Sequence, residues 1–181
     1  MRRTLALAVF AAVGVALAVL TAPPGGTRRP MIHGPRAFNV TADAVRRVEV
    51  DLGSRRVVAD RVADGWRVDA SVASPALRDA LDALVKELAG LHAVDAFRSS
   101  GDLAALGLAP PEGTIALTTA RGTQRLELGA LNAVGSTFYA RREGHRRVLQ
   151  LGVYLMEIVR RVVGARDAAA SAACAYWPEI G

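Results

Sequence analysis

The feature that most constrains this chain is an uncharged apolar run near its start, "TLALAVFAAVGVALAVLTA", which occupies residues 4–22. At about 1.5 Å of rise per residue, a helix of this length reaches roughly 28 Å, close to the thickness of the hydrocarbon core of a bilayer. The run therefore predicts a transmembrane signal-anchor over residues 1–22. Cleavage as a secretory signal is a second reading, disfavoured by the length of the run and by Pro23 and Pro24 after it. A buried helix of a soluble protein is a third.

The region after this run predicts how the rest of the chain is organised. Arginines flank the run on both sides, so the positive-inside rule gives only a weak preference, and we expect the short N-terminus in the cytoplasm and the body outside. Residues 23–40 are rich in proline and glycine and predict an irregular tether. A globular domain over 41–165 and a tail over 166–181 follow. Five of the 23 basic residues and no acidic residue precede position 41, so the body is nearly neutral.

Alternation of apolar and charged residues predicts a largely antiparallel sheet. In "AVRRVEVDLG", Val48 and Val50 share one face and the charged residues share the other, which is the period of a half-buried strand. "RRVVADRV" and "WRVDA" follow, joined by Asp64-Gly65, a strong hairpin dipeptide. Two further hairpins are predicted around Arg121-Gly122 and Glu143-Gly144.

Two helices are predicted to pack on this sheet. Ser74 is a candidate N-cap, Pro75 fits the first helical position, and apolar residues then recur at helical spacing. A second helix is predicted over roughly 152–163, ended by Gly164, and the alanine-rich stretch that starts the tail could continue a helix. Strand pairs separated by single helices favour the α+β class, with a largely antiparallel sheet and two packed helices behind the N-terminal transmembrane helix.

The stretch "SSGDLAALGLAPPEGTIAL", residues 99–117, could be a catalytic loop or a corner of the fold. Asp102 can cap a short helical turn, Gly107 can take the positive φ that ends the turn, and the following prolines stiffen the entry to a strand. A general acid here would need a titratable partner, and the loop itself offers only Asp102 and Glu112. The residue types therefore favour a structural corner of the fold over a catalytic loop.

These patterns together resemble the domain-of-unknown-function family numbered 4340. The resemblance covers about residues 41–165 and rests on "DGW", on the helix after it, on "DLAALGLAPP" and on a hairpin that leads to "YARREGHRRVLQL". Leu106 stands where that family commonly has an aromatic residue. The resemblance implies a bacterial membrane-anchored or exported domain, in some cases beside transport or gliding-motility components, with no established catalytic residues.

No catalytic, cofactor or metal constellation is visible in the sequence. His33, His92 and His145 are scattered, with no histidine or cysteine at metal-ligand spacing beside them. Nucleophile-elbow and phosphate-binding glycine motifs are absent. We therefore expect no enzyme, cofactor or metal, and an exported hydrolase is disfavoured because no nucleophile–base pair is visible.

Candidate partner-contact residues fall into three groups. The apolar run has small residues at a spacing that lets another helix approach, the "RREGHRR" segment is densely basic, and the tail ends in aromatic residues. A solvated hairpin turn and aromatics folded onto their own core are the alternatives for the last two groups. The candidates are Ala11, Gly14, Ala18, Arg141, Arg142, Arg146, Arg147, Tyr176 and Trp177.

The function predicted from these patterns is that of a non-enzymatic accessory subunit in the bacterial inner membrane. Its single helix, periplasmic domain and tail would stabilise or organise a larger complex, with integral membrane proteins and the lipid bilayer as partners. Nucleic acid and a small-molecule substrate are not expected. The alternative is a periplasmic ligand-binding or sensory module linked to transport or motility.

Overall fold

The structure, a computed structural model, describes residues 34–69, 71–99 and 101–175 of the 181-residue chain. The predicted transmembrane helix, the first part of the predicted tether and the aromatic end of the tail lie outside the described residues. No helix in these described ranges is long and apolar enough to cross a membrane.

The described residues form an α+β fold with one nine-stranded antiparallel sheet. The strands are β1 (Val45–Leu52), β2 (Arg55–Val62), β3 (Gly65–Val68), β4 (Ser71–Val72), β5 (Asp95–Arg98), β6 (Gly113–Thr119), β7 (Gly122–Leu131), β8 (Thr137–Arg142) and β9 (Arg147–Gly152). Their order across the sheet is β4-β3-β2-β1-β6-β7-β8-β9-β5. The helices are α1 (Pro75–Gly90) and α2 (Tyr154–Ala175), and a 3-10 turn, Ala42–Ala44, precedes β1.

The alternation read from the sequence places the buried face of the sheet correctly. Val48 and Val50 of β1 are buried, as predicted, and Arg47 and Glu49 lie on the opposite face. Val45 is also buried because the register with β6 shifts between Val45 and Arg47. The three predicted hairpins are confirmed, since β2–β3, β6–β7 and β8–β9 are antiparallel pairs.

Helix α1 begins as the sequence predicts. The Ser74 hydroxyl accepts a hydrogen bond from the backbone N–H of Leu77 (3.4 Å), and Pro75 occupies the first turn. The apolar stripe packs into the core that α1 shares with the inner face of the sheet and with α2. Its buried members are Leu77, Leu81, Leu84, Val85 and Leu88.

The predicted end of the second helix at Gly164 is wrong, because α2 continues to Ala175. One glycine in a helix costs only about 1 kcal/mol relative to alanine. Burial of Val162 and Val163 just before it and the alanine-rich sequence after it outweigh that cost.

The segment before β1 is packed against the domain, although the sequence placed it in the tether. Ala37 and Phe38 are fully buried in the core. The Ala37 N–H donates to the carbonyl of Leu91 (2.9 Å), and the Ala93 N–H donates to the carbonyl of Pro35 (2.9 Å). The end of α1 therefore holds this segment. The short strands β4 and β5 were also not predicted.

Candidate functional site

Residues 101–112 form a corner of the fold. The Asp102 carboxylate accepts a hydrogen bond from the Ala104 N–H (2.8 Å), and the Gly107 N–H closes the turn on the Ala104 carbonyl (2.9 Å). Gly107 has φ +66°, the positive value predicted for it. Leu108 is buried and lies against Gly129 of β7. The corner thus covers part of the outer face of the sheet.

Two of the four arginines proposed as partner contacts make contacts inside the domain. The Arg141 Nε donates to Glu127 Oε2 on the neighbouring strand (2.7 Å), and both side chains are half-buried. The Arg142 Nε donates to the carbonyl oxygen of Ala37 (2.8 Å), and its other guanidinium nitrogen donates to the carbonyl oxygen of Arg36. Arg142 therefore holds the segment that enters the domain.

The other two arginines of that group are exposed. Arg146 lies in the β8–β9 turn and Arg147 begins β9. Arg147 stands directly opposite Arg98 in the β5–β9 register. Like charges directly opposite each other on neighbouring strands are destabilising.

A stability measurement distinguishes these two roles. Arg142→Met should lower the free energy of unfolding by about 1.5–3 kcal/mol, because it removes charge-assisted hydrogen bonds to the carbonyl oxygens of Arg36 and Ala37. Arg146→Met is the matched control and should change that free energy by less than about 0.5 kcal/mol. Denaturant unfolding of both variants measures the difference. Equal losses would contradict the role assigned to Arg142.

A basic groove lies where the N-terminal segment joins the domain. Its volume is about 430 Å³, and Arg36, Arg46 and Arg121 line it together with one acidic residue, Asp43. None of these three arginines forms an ion pair with any residue that the structure describes. Arg121 is distant in the chain from Arg36 and Arg46, so no local pattern in the sequence indicated that the three would meet.

The outer face of the β1–β2 pair neutralises its own charges. The Arg47 Nε donates to Glu49 Oε1 (3.0 Å), and one terminal nitrogen of Arg56 donates to Glu49 Oε2 (3.2 Å). Partial burial raises the pKa of Glu49, but the hydrogen bonds from these two guanidinium groups outweigh it and hold that pKa below its ordinary value. Because Arg47 and Arg56 are hydrogen-bonded to the Glu49 carboxylate, this face offers less net charge to a partner than the basic groove does.

The opposite end of β7 carries an exposed apolar patch that the sequence did not single out. We define the apolar patch as Leu131, Val134, Val153 and Tyr154, which are exposed to 60%, 83%, 37% and 58%. Val153 donates its N–H to the carbonyl of Ser136 (3.3 Å), which ties the start of α2 to the β7–β8 loop. Its four residues come from the end of β7, two loops and the start of α2, so no local pattern in the sequence indicated the patch.

A groove of about 450 Å³ adjoins the apolar patch. Leu131 and Val153 line it together with Leu52, Phe138 and Met156. The polar lining comes from Glu112, Glu157 and Arg160. An apolar centre with a polar rim is the usual anatomy of a protein–protein contact.

The remaining candidates from the sequence are placed as follows. Ala11, Gly14, Ala18, Tyr176 and Trp177 lie outside the described residues. His92 has its Nδ1 2.8 Å from the carbonyl oxygen of Gly90, at the end of α1. Within the ranges that the structure describes, no group of three or more His, Cys, Asp or Glu side chains could hold a metal ion.

Residues 66–167 match the family described as Domain of unknown function (DUF4340), which is more than half of the chain. The chain belongs to this family. The DUF4340 match begins at Trp66 and ends within α2, so the β1–β2 hairpin lies outside it. Comparison with curated proteins and with solved structures gave no significant match.

Proposed function

We propose that this DUF4340 chain is a non-enzymatic, membrane-anchored accessory subunit that stabilises or organises a larger complex in a bacterial inner membrane. The uncharged run over residues 4–22 would anchor it, and the domain would lie in the periplasm. The exposed apolar patch is the observation that carries the proposal, because it is surface that association with another protein would remove from water.

The composition of the patch fits a protein partner. Scattered single apolar residues are normal on a protein surface, but neighbouring ones rimmed by polar groups mark interaction sites. Here the end of β7, two loops and the first residue of α2 bring four apolar side chains to one end of the sheet. Burying a side chain such as Val134 or Leu131 fully is worth about 1.5–3 kcal/mol each. We propose that the partner is an integral membrane protein with an apolar periplasmic segment.

A ligand-binding or sensory module is the second candidate, and the 450 Å³ groove beside the patch favours it. Such a volume lies within the usual range of small-molecule sites, and Glu112 and Arg160 could orient a ligand. The inner face of the sheet offers no such room beneath α1, because Leu81, Leu84 and Leu88 of that helix are fully buried against it. In this second candidate function, the ligand would bind in the 450 Å³ groove at the sheet end, beside the apolar patch.

Site-specific photocrosslinking in intact cells tests the proposal. A photoreactive amino acid at Val134 should crosslink to one membrane protein of defined mass, because this side chain lies at the centre of the proposed contact. The same amino acid at Lys86, which is exposed on α1, is the matched control and should give no such product. Equal labelling at both positions, or none at Val134, would contradict the partner contact. Loss of the Val134 product on adding a small molecule would favour the second candidate.

A further inference from the structure

We propose that the basic end of the sheet binds the phosphates of anionic phospholipid headgroups. The basic end is defined as six exposed arginines: Arg36, Arg46, Arg98, Arg121, Arg146 and Arg147. The inference rests on the proposed membrane anchoring, and it adds which surface of the domain faces the bilayer and what that surface recognises there.

The basic groove is the first part of this surface. Its three arginines converge on an open space of about 430 Å³ with only Asp43 to oppose them. Asn39 and Gln124, which also line it, are held by reciprocal hydrogen bonds, from the Asn39 N–H to Gln124 Oε1 (2.8 Å) and from Gln124 Nε2 to the Asn39 carbonyl (3.2 Å). The groove wall is therefore a fixed scaffold, and the planar guanidinium groups on it suit phosphate oxygens.

The edge of the sheet supplies the second part. Arg98 of β5 and Arg147 of β9 lie opposite each other, and Arg146 lies just before Arg147 in the β8–β9 turn. Arg142 lies between this edge and the groove. The residue before it, Arg141, pairs with Val148 of β9. The Arg142 guanidinium donates to the backbone carbonyl of Arg36, which lines the groove. The two clusters thus lie at the same end of the sheet, with Arg142 between them, and an anionic layer would relieve the repulsion between Arg98 and Arg147.

The course of the chain favours a membrane over an acidic protein. Arg36 lines the groove, and the predicted anchor ends at residue 22. The thirteen residues between them span at most about 45 Å when fully extended, so the tether keeps the groove within reach of the headgroup layer. Arg28 and Arg29 of the tether add to the same charge. Basic segments next to a membrane anchor are attracted by anionic lipid over about one Debye length.

The arrangement also leaves the apolar patch free for its partner. Gln124 lies near the start of β7 and Leu131 lies at its end, so the basic end and the apolar patch occupy opposite ends of the same strand. A domain held to headgroups through the basic end would turn the apolar patch away from the bilayer.

Reconstitution of the full chain into vesicles tests the inference. In a Cys174→Ser background, a fluorophore is placed at His145→Cys beside the basic end or at Ser136→Cys beside the apolar patch, and headgroup quenchers report contact with lipid. In vesicles that contain phosphatidylglycerol, we expect quenching at His145→Cys to exceed that at Ser136→Cys by about fivefold or more. The difference should disappear in pure phosphatidylcholine and at about 1 M salt, where the Debye length is about 3 Å.

Charge reversal supplies the matched variants. Arg46→Glu with Arg121→Glu should abolish the lipid-dependent quenching, whereas Arg55→Glu with Arg67→Glu, an equal charge change at exposed sites elsewhere, should leave it unchanged. Vesicle flotation reports the anchor separately. A chain that floats but shows no lipid-dependent quenching overturns this inference alone, and one that does not float overturns the anchor and the inference together. If the Arg46→Glu and Arg121→Glu pair keeps lipid contact but loses a protein partner, the surface belongs to an acidic protein and the inference is wrong.

Discussion

We expect Gly107→Ala to lower the free energy of unfolding by about 2–5 kcal/mol, because it combines backbone strain with a steric clash. Gly107 has φ +66°, which L-residues with a Cβ rarely adopt. A Cβ there would lie 2.6 Å from the backbone nitrogen of Ala130 and 2.7 Å from Glu112 Oε1. The Glu112 side chain can move, but the Ala130 nitrogen is fixed by its hydrogen bond to the Leu106 carbonyl (2.9 Å).

Gly144→Ala is the matched control for this experiment. Gly144 also has a positive φ, +76°, but a Cβ there would meet nothing within 4 Å. Its substitution should cost only the backbone strain, about 1–2 kcal/mol. Denaturant unfolding monitored by circular dichroism measures both variants. If the two losses are the same, Gly107 does not pack closely against the backbone of Ala130 in β7.

A loss of similar size is expected for Trp66→Ala, about 3–5 kcal/mol, because the indole is the largest fully buried side chain near the β3 edge of the core. The ring Nε1 donates to Asp82 Oδ1 of α1 (2.9 Å), and the guanidinium carbon of Arg61 lies 4.5 Å from the ring centroid. The substitution leaves a cavity between β3 and α1 and removes both polar contacts.

Trp66→Phe separates packing from the hydrogen bond to Asp82. It retains most of the apolar volume and loses the indole N–H, so it should cost about 1–2 kcal/mol. Thermal and denaturant unfolding of the two variants provide the comparison. If Trp66→Phe is as destabilising as Trp66→Ala, the hydrogen bond rather than the buried ring joins α1 to this part of the sheet.

Local patterns account for the parts of the fold that were predicted. Period-two alternation identified β1, and Ser74 with Pro75 identified the start of α1, because both signals lie within a few residues of the element they specify. The Asp102 cap and the positive φ of Gly107 were predicted for the same reason. Strand β5 has only four residues at the sheet edge, too short for its alternation to be recognised.

The candidate surfaces were less predictable because they depend on tertiary contacts. Arg142 resembles its neighbour Arg146 in the sequence, and only the fold brings it to the carbonyl groups before β1. Arg46 and Arg121 meet because β1 and β6 are paired, which no local spacing indicates. The continuation of α2 past Gly164 likewise reflects packing of Val162 and Val163 that a single glycine does not outweigh.

The size of the assembly released from native membranes in mild detergent tests the central proposal most directly. The intact chain should migrate in a complex much larger than its own mass of 19.0 kDa. Leu131→Lys with Val134→Lys should shift the chain toward the free subunit by about tenfold or more, because two buried apolar contacts become charged. Ala63→Lys with Ala83→Lys, at exposed positions in the β2–β3 turn and on α1, should leave the complex intact. Migration of the unaltered chain as a monomer, or equal behaviour of the two double variants, would contradict the account.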